Sequence, residues 1–194
     1  WHNALFPIEY SGMHKIIVAN WRDDSTGPMQ VVSGSIGKEK VHYQAPKASV
    51  LNKEMNLFFE WFNNRQNIDL VLKAGIAHFW FVTLHPFEDG NGRIARAITD
   101  MILSQSDEQS YRFYSMSTQI RKERKEYYEI LEKTQKGSLK ITDWLEWFLN
   151  CLLHAFEASE ILLSNVIFKH NFWIKNGSKI ENDRQRAILN MLLD

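Results

Sequence analysis

Residues 85–96 read HPFEDGNGRIAR, and nearly every one of them is equipped for polar chemistry. His85 can take up a proton near neutral pH. Asp89 offers a carboxylate to a hard cation such as Mg²⁺, which binds few protein carboxylates and fills its shell with phosphate oxygens. Gly90, Asn91 and Gly92 permit backbone angles that other residues avoid, and a new helical pattern begins near Gly92. Free N–H groups at a helix start make an anion site, above all for phosphate. Arg93 and Arg96 are three apart and share a helix face. Their guanidinium forks bind phosphate oxygens in bidentate fashion. Base, metal carboxylate, oxyanion cradle and charge clamp are the parts of a phosphoryl- or nucleotidyl-transfer site.

Such a loop needs rigid elements on both sides. Residues 69–84, DLVLKAGIAHFWFVTL, are apolar nearly all round and too long for one strand, as expected of a central buried helix. After the loop, Ile94, Ile98, Met101 and Ile102 carry a second helix to about Ser104. Before it, Leu51, Met55, Phe58, Phe59 and Phe62 recur at helical spacing from Lys47 onward. RFYSMSTQIRKERKEYYEILEKTQKG predicts a charged amphipathic helix that stops at Gly137. Residues 142–168 predict one or two more helices, and ENDRQRAILNMLLD begins another. The one convincing strand signal is Met29 to Pro46, where Val31 and Val32 face Val41, His42 and Tyr43 across a turn, a β-hairpin. The fold class is mostly α, with one hairpin.

The 194 residues are 44% hydrophobic and 13% aromatic, ample for one large core. Lys+Arg and Asp+Glu are both 23, so no overall charge draws the chain to nucleic acid or anionic membranes. No apolar run reaches ~18 uninterrupted residues, so we expect no transmembrane helix and no membrane partner. The single cysteine, Cys151, reads as buried packing and fits a reducing cytoplasm. A start at Trp1 rather than Met gives the expectation of a piece of a longer protein.

The twelve-residue stretch resembles the signature of the Fic (filamentation induced by cAMP) family, His-x-Phe-x-Asp/Glu-Gly-Asn-Gly-Arg-x-x-Arg, and matches at every fixed position. The order of elements over roughly residues 15–155 is similar too: hairpin, buried helix, motif, tyrosine-bearing helix. The resemblance implies a helical bundle around the central helix, with the hairpin as a flap over the site. It implies transfer of AMP from ATP, with Mg²⁺, to a hydroxyl side chain of a protein, pyrophosphate being released. His85 would then deprotonate the hydroxyl and Asp89 hold the metal. Gly90, Asn91 and Gly92 would line the anion hole, Arg93 and Arg96 hold the outer phosphates, and Phe87 anchor the loop. Tyr128 and Gln135, seven apart, would face adenine and ribose. Met29, Gln30, Val31, Val32, Val41, His42 and Tyr43 of the flap would bind the target as an added strand. The implied partners are a protein bearing a Ser, Thr or Tyr hydroxyl, the chain itself as substrate, and a second copy in a homodimer.

In domain terms, the reading is an N-terminal segment at 1–28, a Fic domain at 29–168 with core, motif and following helix at 69–104, and at 181–194 the possible first helix of a winged-helix module. Nucleic acid would then be bound only by a domain outside this chain. The alternatives are a nucleotide-sensing regulator acting through such a module, transfer of phosphate, UMP or phosphocholine, and removal of AMP. The family's inhibitory pattern, Ser/Thr-x-x-x-Glu-Gly/Asn, is approached at Ser35, Ser104 and Thr142, but Lys40, Gln109 and Trp147 stand where Gly or Asn belongs. Several residues read as structural. Glu88 is taken as solvated, and His78 as a core histidine with a backbone partner. The run Arg121, Lys122, Arg124, Lys125, interleaved with Glu123, Glu126 and Glu129, is taken as a solvated face. SGSIGKEK lacks phosphate-loop spacing.

Overall fold

The computed structural model describes the chain except for residues 36, 65, 66, 108–111, 139, 181 and 194. Its elements run α1 (His2–Leu5), β1 (Tyr10–Ser11), β2 (His14–Lys15), β3 (Gln30–Ser33), β4 (Lys40–Gln44), α2 (Ala48–Asn63), α3 (Leu70–Leu84), α4 (Asn91–Ser106), α5 (Met116–Lys122), α6 (Arg124–Gln135), α7 (Thr142–Asn176) and α8 (Asp183–Leu192). The expected mostly α architecture is present.

Helix α3 is the centre of the bundle. Asp69 caps its start, its carboxylate accepting from the N–H groups of Val71 and Leu72 at 2.8 and 3.2 Å. None of its residues is exposed, and Ala74, Ala77, His78, Phe81 and Leu84 are among the buried ones. It packs most extensively on α4 and also against α2 and α7. Gly75 is needed for the α7 contact: a Cβ there would lie 3.0 Å from Leu145 Cδ2 and Phe148 Cδ1. The helix stops where His85 turns left-handed and Pro86 follows, which cannot continue it.

His78 is a core histidine, but its partners are side chains, not backbone. Thr99 donates its hydroxyl to Ala95 O at 2.9 Å and so must accept from His78 Nδ1, also at 2.9 Å. Nε2 then accepts from the Tyr127 hydroxyl at 2.9 Å. Burial, with the charge of Arg96, pushes His78 down to about 3, so the ring is neutral.

Strands β3 and β4 pair antiparallel where the hairpin was expected, with a bulge between Val31 and Val32; Ile36 in its turn lies outside the described residues. A second, minimal hairpin, β1–β2, was not anticipated, because two-residue strands around Gly12 leave no alternating pattern. The helix expected to run unbroken to Gly137 is two, α5 and α6, separated at Glu123. There the Glu123 carboxylate binds Gln119 and His154 of α7, which coincides with the break.

Residues 142–168 form part of one long helix. Its first half is held in the core by Trp144, Phe148, Cys151, Leu152 and Ala155, whereas Ile161, Leu162, Val166, Ile167 and Phe168 are exposed. By length and composition alone, Thr142–Lys179 is apolar enough to cross a membrane. A search for uninterrupted apolar runs missed this, because Glu157, Glu160 and Lys169 punctuate it.

Candidate active site

His85 has φ 48° and ψ 56°, a left-handed conformation costly for a residue with a Cβ. Its Nδ1 lies 3.2 Å from Val82 O. A carbonyl only accepts, so Nδ1 carries the proton and Nε2 keeps a free lone pair. Burial lowers the pKa of the ring, assisted by the charge of Arg22 and opposed by the Val82 hydrogen bond and Asp89. The neutral, basic form is therefore favoured.

The loop after His85 is closed by Asn91, which is 2% exposed. Its side-chain oxygen accepts from Phe87 N at 2.9 Å and its amide donates to Phe87 O at 2.7 Å. The Asn91 side chain is thus spent on the loop, and only its backbone N–H remains for an anion. Gly90, at φ 83°, is the N-cap of α4 and supplies no side-chain cap. The first-turn donors of α4 are left open, as an anion site requires.

A cleft of about 690 Å³ lies beside His85 and Gly92. Tyr128 and Gln135 of α6 line it, so the two residues expected at the nucleoside share it with His85. Gln135 also donates to Thr83 Oγ1 at 3.2 Å. From the flap, Val31, Val32, His42 and Tyr43 line the cleft; Met29, Gln30 and Val41 are outside its lining. His42 reaches across to the Glu132 carboxylate of α6, and Tyr43 donates to Thr83 O at 3.0 Å.

The two motif arginines share a helix face but lean apart. Arg93 lies 4.6 Å from the Phe6 ring centroid, with Nη2 3.4 Å from Asp89 Oδ2. Arg96 instead lines an adjoining cavity of about 410 Å³ with Arg121, Arg124, Tyr127 and Tyr128. Tyr128 and Arg124 border both spaces. Arg121 and Arg124 are exposed, as the solvated-face reading expects, and they also line this cavity. Their interleaved glutamates hid this, since alternation of charge does not say which face points at a cavity.

Asp89 receives a Ser11 hydroxyl, the Gly90 N–H and Arg93. Burial alone would raise its pKa, but those hydrogen bonds and the charge of Arg93 outweigh it and hold the carboxyl below its ordinary value. Among the described residues no cluster of three His, Cys, Asp or Glu could hold a metal. A single ionised carboxylate still fits Mg²⁺, provided substrate phosphates supply other oxygens.

The N-terminal segment forms the back wall of this loop. His2 donates from Nε2 to Asp89 O at 3.0 Å, accepts at Nδ1 from Ala19 N at 3.1 Å, and stacks on Phe87 at 4.0 Å between ring centroids. Glu88, expected to be solvated, is half-buried and accepts from Ile17 N at 2.7 Å. Arg22 donates to His85 O at 2.8 Å. Sequence reasoning missed His2, Ser11 and Arg22 because they lie 63–87 residues from their partners, with no local spacing to betray them.

The helical bundle thus sets His85 and an open helix N-terminus against a hairpin-covered cleft. Residues 2–103 match the model of the Fic/DOC family, and the chain belongs to that family. It is 27% identical over 103 residues to a probable protein adenylyltransferase of Aquifex aeolicus, covering 53% of this chain and 30% of that protein. It is 31% identical over 108 residues to the protein adenylyltransferase Fic of Drosophila mojavensis, covering 52% and 20%. The fold is similar to a Fic family protein of Desulfovibrio desulfuricans, with TM-score 0.64 at 26% identity over 84% of this chain and 45% of that one. A Fic domain containing signaling protein of Bacteroides thetaiotaomicron shares the fold at TM-score 0.55 and 19% identity, over 74% and 55%. The matched stretch spans a third or less of these curated relatives.

Proposed function

We propose that this chain transfers AMP from ATP to a Ser, Thr or Tyr hydroxyl of a protein. The observation that carries the reading is the fixed His85 ring: Nδ1 is spent on Val82 O, leaving Nε2 free at a cleft bordered by Gly92 of α4. In this reading Nε2 takes the hydroxyl proton and the oxygen attacks the α-phosphorus. The bond from that phosphorus to the bridging oxygen breaks, and pyrophosphate leaves with the electron pair. The N–H groups of Asn91, Gly92 and Arg93 face the charge that develops on phosphate oxygens. Arg93 and Arg96 swing toward the outer phosphates from one face of α4. Asp89 would hold Mg²⁺, which would supply charge neutralisation. Tyr128 and Gln135 border the nucleoside, and the exposed edge of the flap accepts a target strand.

Support also comes from the relatives named protein adenylyltransferase. The test is incorporation of label from α-³²P-ATP against γ-³²P-ATP with Mg²⁺, into the chain itself and into a protein extract. Alpha label that disappears in His85→Ala is the expected result. Gamma label alone would replace AMP transfer by phosphate transfer, and alpha label that survives in His85→Ala would remove the assigned base.

A further inference from the structure

We propose that Arg22 is a positioning residue for His85, and that it ties the base to the root of the flap. The inference rests on the reading of His85 as the base. The Arg22 side chain is fully excluded from solvent. Burying a guanidinium is expensive unless its donors are matched, and here they are aimed at one junction. Nε donates to His85 O at 2.8 Å, Nη1 to Asp24 Oδ1 at 3.0 Å, and Nη2 to Pro46 O. The Arg22 backbone N–H adds a bond to Pro86 O at 2.9 Å. One residue therefore grips the carbonyls of both His85 and Pro86.

These bonds matter because His85 is left-handed, a state that persists only where its surroundings over-determine it. On the helix side, His85 N donates to Phe81 O at 3.1 Å and Nδ1 donates to Val82 O at 3.2 Å. On the loop side the fixation comes from Arg22. The helix-side bonds fix the ring and the direction of the Nε2 lone pair, and the loop side fixes ψ, so the left-handed state that seats Nδ1 on Val82 O is held from both ends. The third arm of the fork holds Pro46, two residues after β4. Asp24, its carboxylate partner, accepts from Ala48 N at 2.7 Å at the start of α2. The base, the flap root and α2 thus meet at one guanidinium. Lysine cannot replace it, since an ammonium lacks the planar fork that reaches three acceptors.

A purely structural arginine would change stability and leave the ring of His85 alone, so the test reads the ring directly. Histidine-ring ¹⁵N spectra of wild type and Arg22→Lys are compared near neutral pH, with the His85 signal assigned by its loss in His85→Ala. Wild type is expected to show one protonated nitrogen and one lone-pair nitrogen. In Arg22→Lys the two should move toward an average, while kcat for transfer falls about a hundredfold, the scale of a misplaced catalytic group, and KM for ATP stays within about threefold. Unchanged His85 signals in folded Arg22→Lys would overturn the proposal, as would an unchanged kcat. Should Arg22→Lys fail to fold, Asp24→Asn releases the same fork more gently. It is expected to give partial averaging and a smaller loss of kcat, and a wild-type spectrum there would overturn the proposal. The ring spectrum does not depend on which reaction occurs, so a wild type without AMP transfer would defeat the proposed function while Arg22 is still judged.

Discussion

Gly90 and Gly92 are neighbours in the motif, yet alanine should affect them in opposite ways. A Cβ at Gly92 would meet only the tip of Arg96, 3.4 Å away, and the residue lies in the first turn of α4. Alanine is favoured over glycine in a helix by up to about 1 kcal/mol. Gly92→Ala should therefore be as stable as wild type or slightly more so. The new methyl would nevertheless stand at the helix start beside His85, where a phosphate needs close approach to backbone N–H groups. We expect transfer to fall by roughly tenfold or more, about 1.4 kcal/mol of transition-state binding. Gly90 has φ 83°, and a Cβ there would sit 2.9 Å from Phe6 Cε2. The left-handed backbone costs about 1–2 kcal/mol with a Cβ present. Crowding the packed Phe6 ring adds about 1–3 kcal/mol. Gly90→Ala should lose roughly 2–5 kcal/mol, and in a cycle with Phe6→Ala the crowding part should appear as coupling. Denaturant melts supply the stabilities, and labelled-ATP transfer supplies the rates. A Gly90→Ala protein as stable as wild type would refute the packing argument, and a fully active Gly92→Ala would refute the anion cradle.

Asn91→Ala strips partners from the buried N–H and C=O of Phe87, at about 1–3 kcal/mol each, and amide exchange at Phe87 should quicken in step with the lost stability. His78 is neutral when folded and takes up a proton on unfolding below pH 6.5, because its folded pKa, about 3, lies below its ordinary value of 6.5. Its contribution is complete above pH 6.5 and declines as pH falls toward about 3, by about 1.4 kcal/mol per unit, readable from melts at several pH values. Burial lowers His85, so the acid limb of the transfer rate should have its midpoint below 6.5, and a midpoint above that value would contradict the buried base. Glu132 is held at about 2, chiefly by Lys136 and then His42. Glu132→Gln should loosen the flap, seen as faster amide exchange in β4.

Local patterns carried the parts of this molecule that are locally determined. Helix α3 is legible because a sixteen-residue apolar stretch, 69–84, has no other compact solution, and the motif because its residues act through their immediate spacing. Tyr128 and Gln135 could be matched to the cleft because one helix, α6, carries both. What escaped is what long-range packing decides. The N-terminal segment wraps the motif through His2, Ser11, Ile17 and Arg22, whose partners lie at Glu88, Asp89 and His85. No periodicity encodes such contacts. The break at Glu123 depends on His154 of α7, and the divergence of Arg93 from Arg96 depends on Phe6 and Asp89 drawing Arg93 away. His78 was rightly assigned to the core, but its partners came from two other helices, α4 and α6.

The central claim is that the α-phosphate of ATP lies at the N-terminus of α4, within reach of a hydroxyl deprotonated by His85. A crystal structure of the chain with Mg²⁺ and a non-hydrolysable ATP analogue tests this most directly. The account predicts the α-phosphate on the N–H groups of Asn91 to Arg93, the metal on Asp89 and the adenine and ribose facing Tyr128 and Gln135. A γ-phosphate in the α-phosphate's place, or a nucleotide bound elsewhere on the chain, would contradict it.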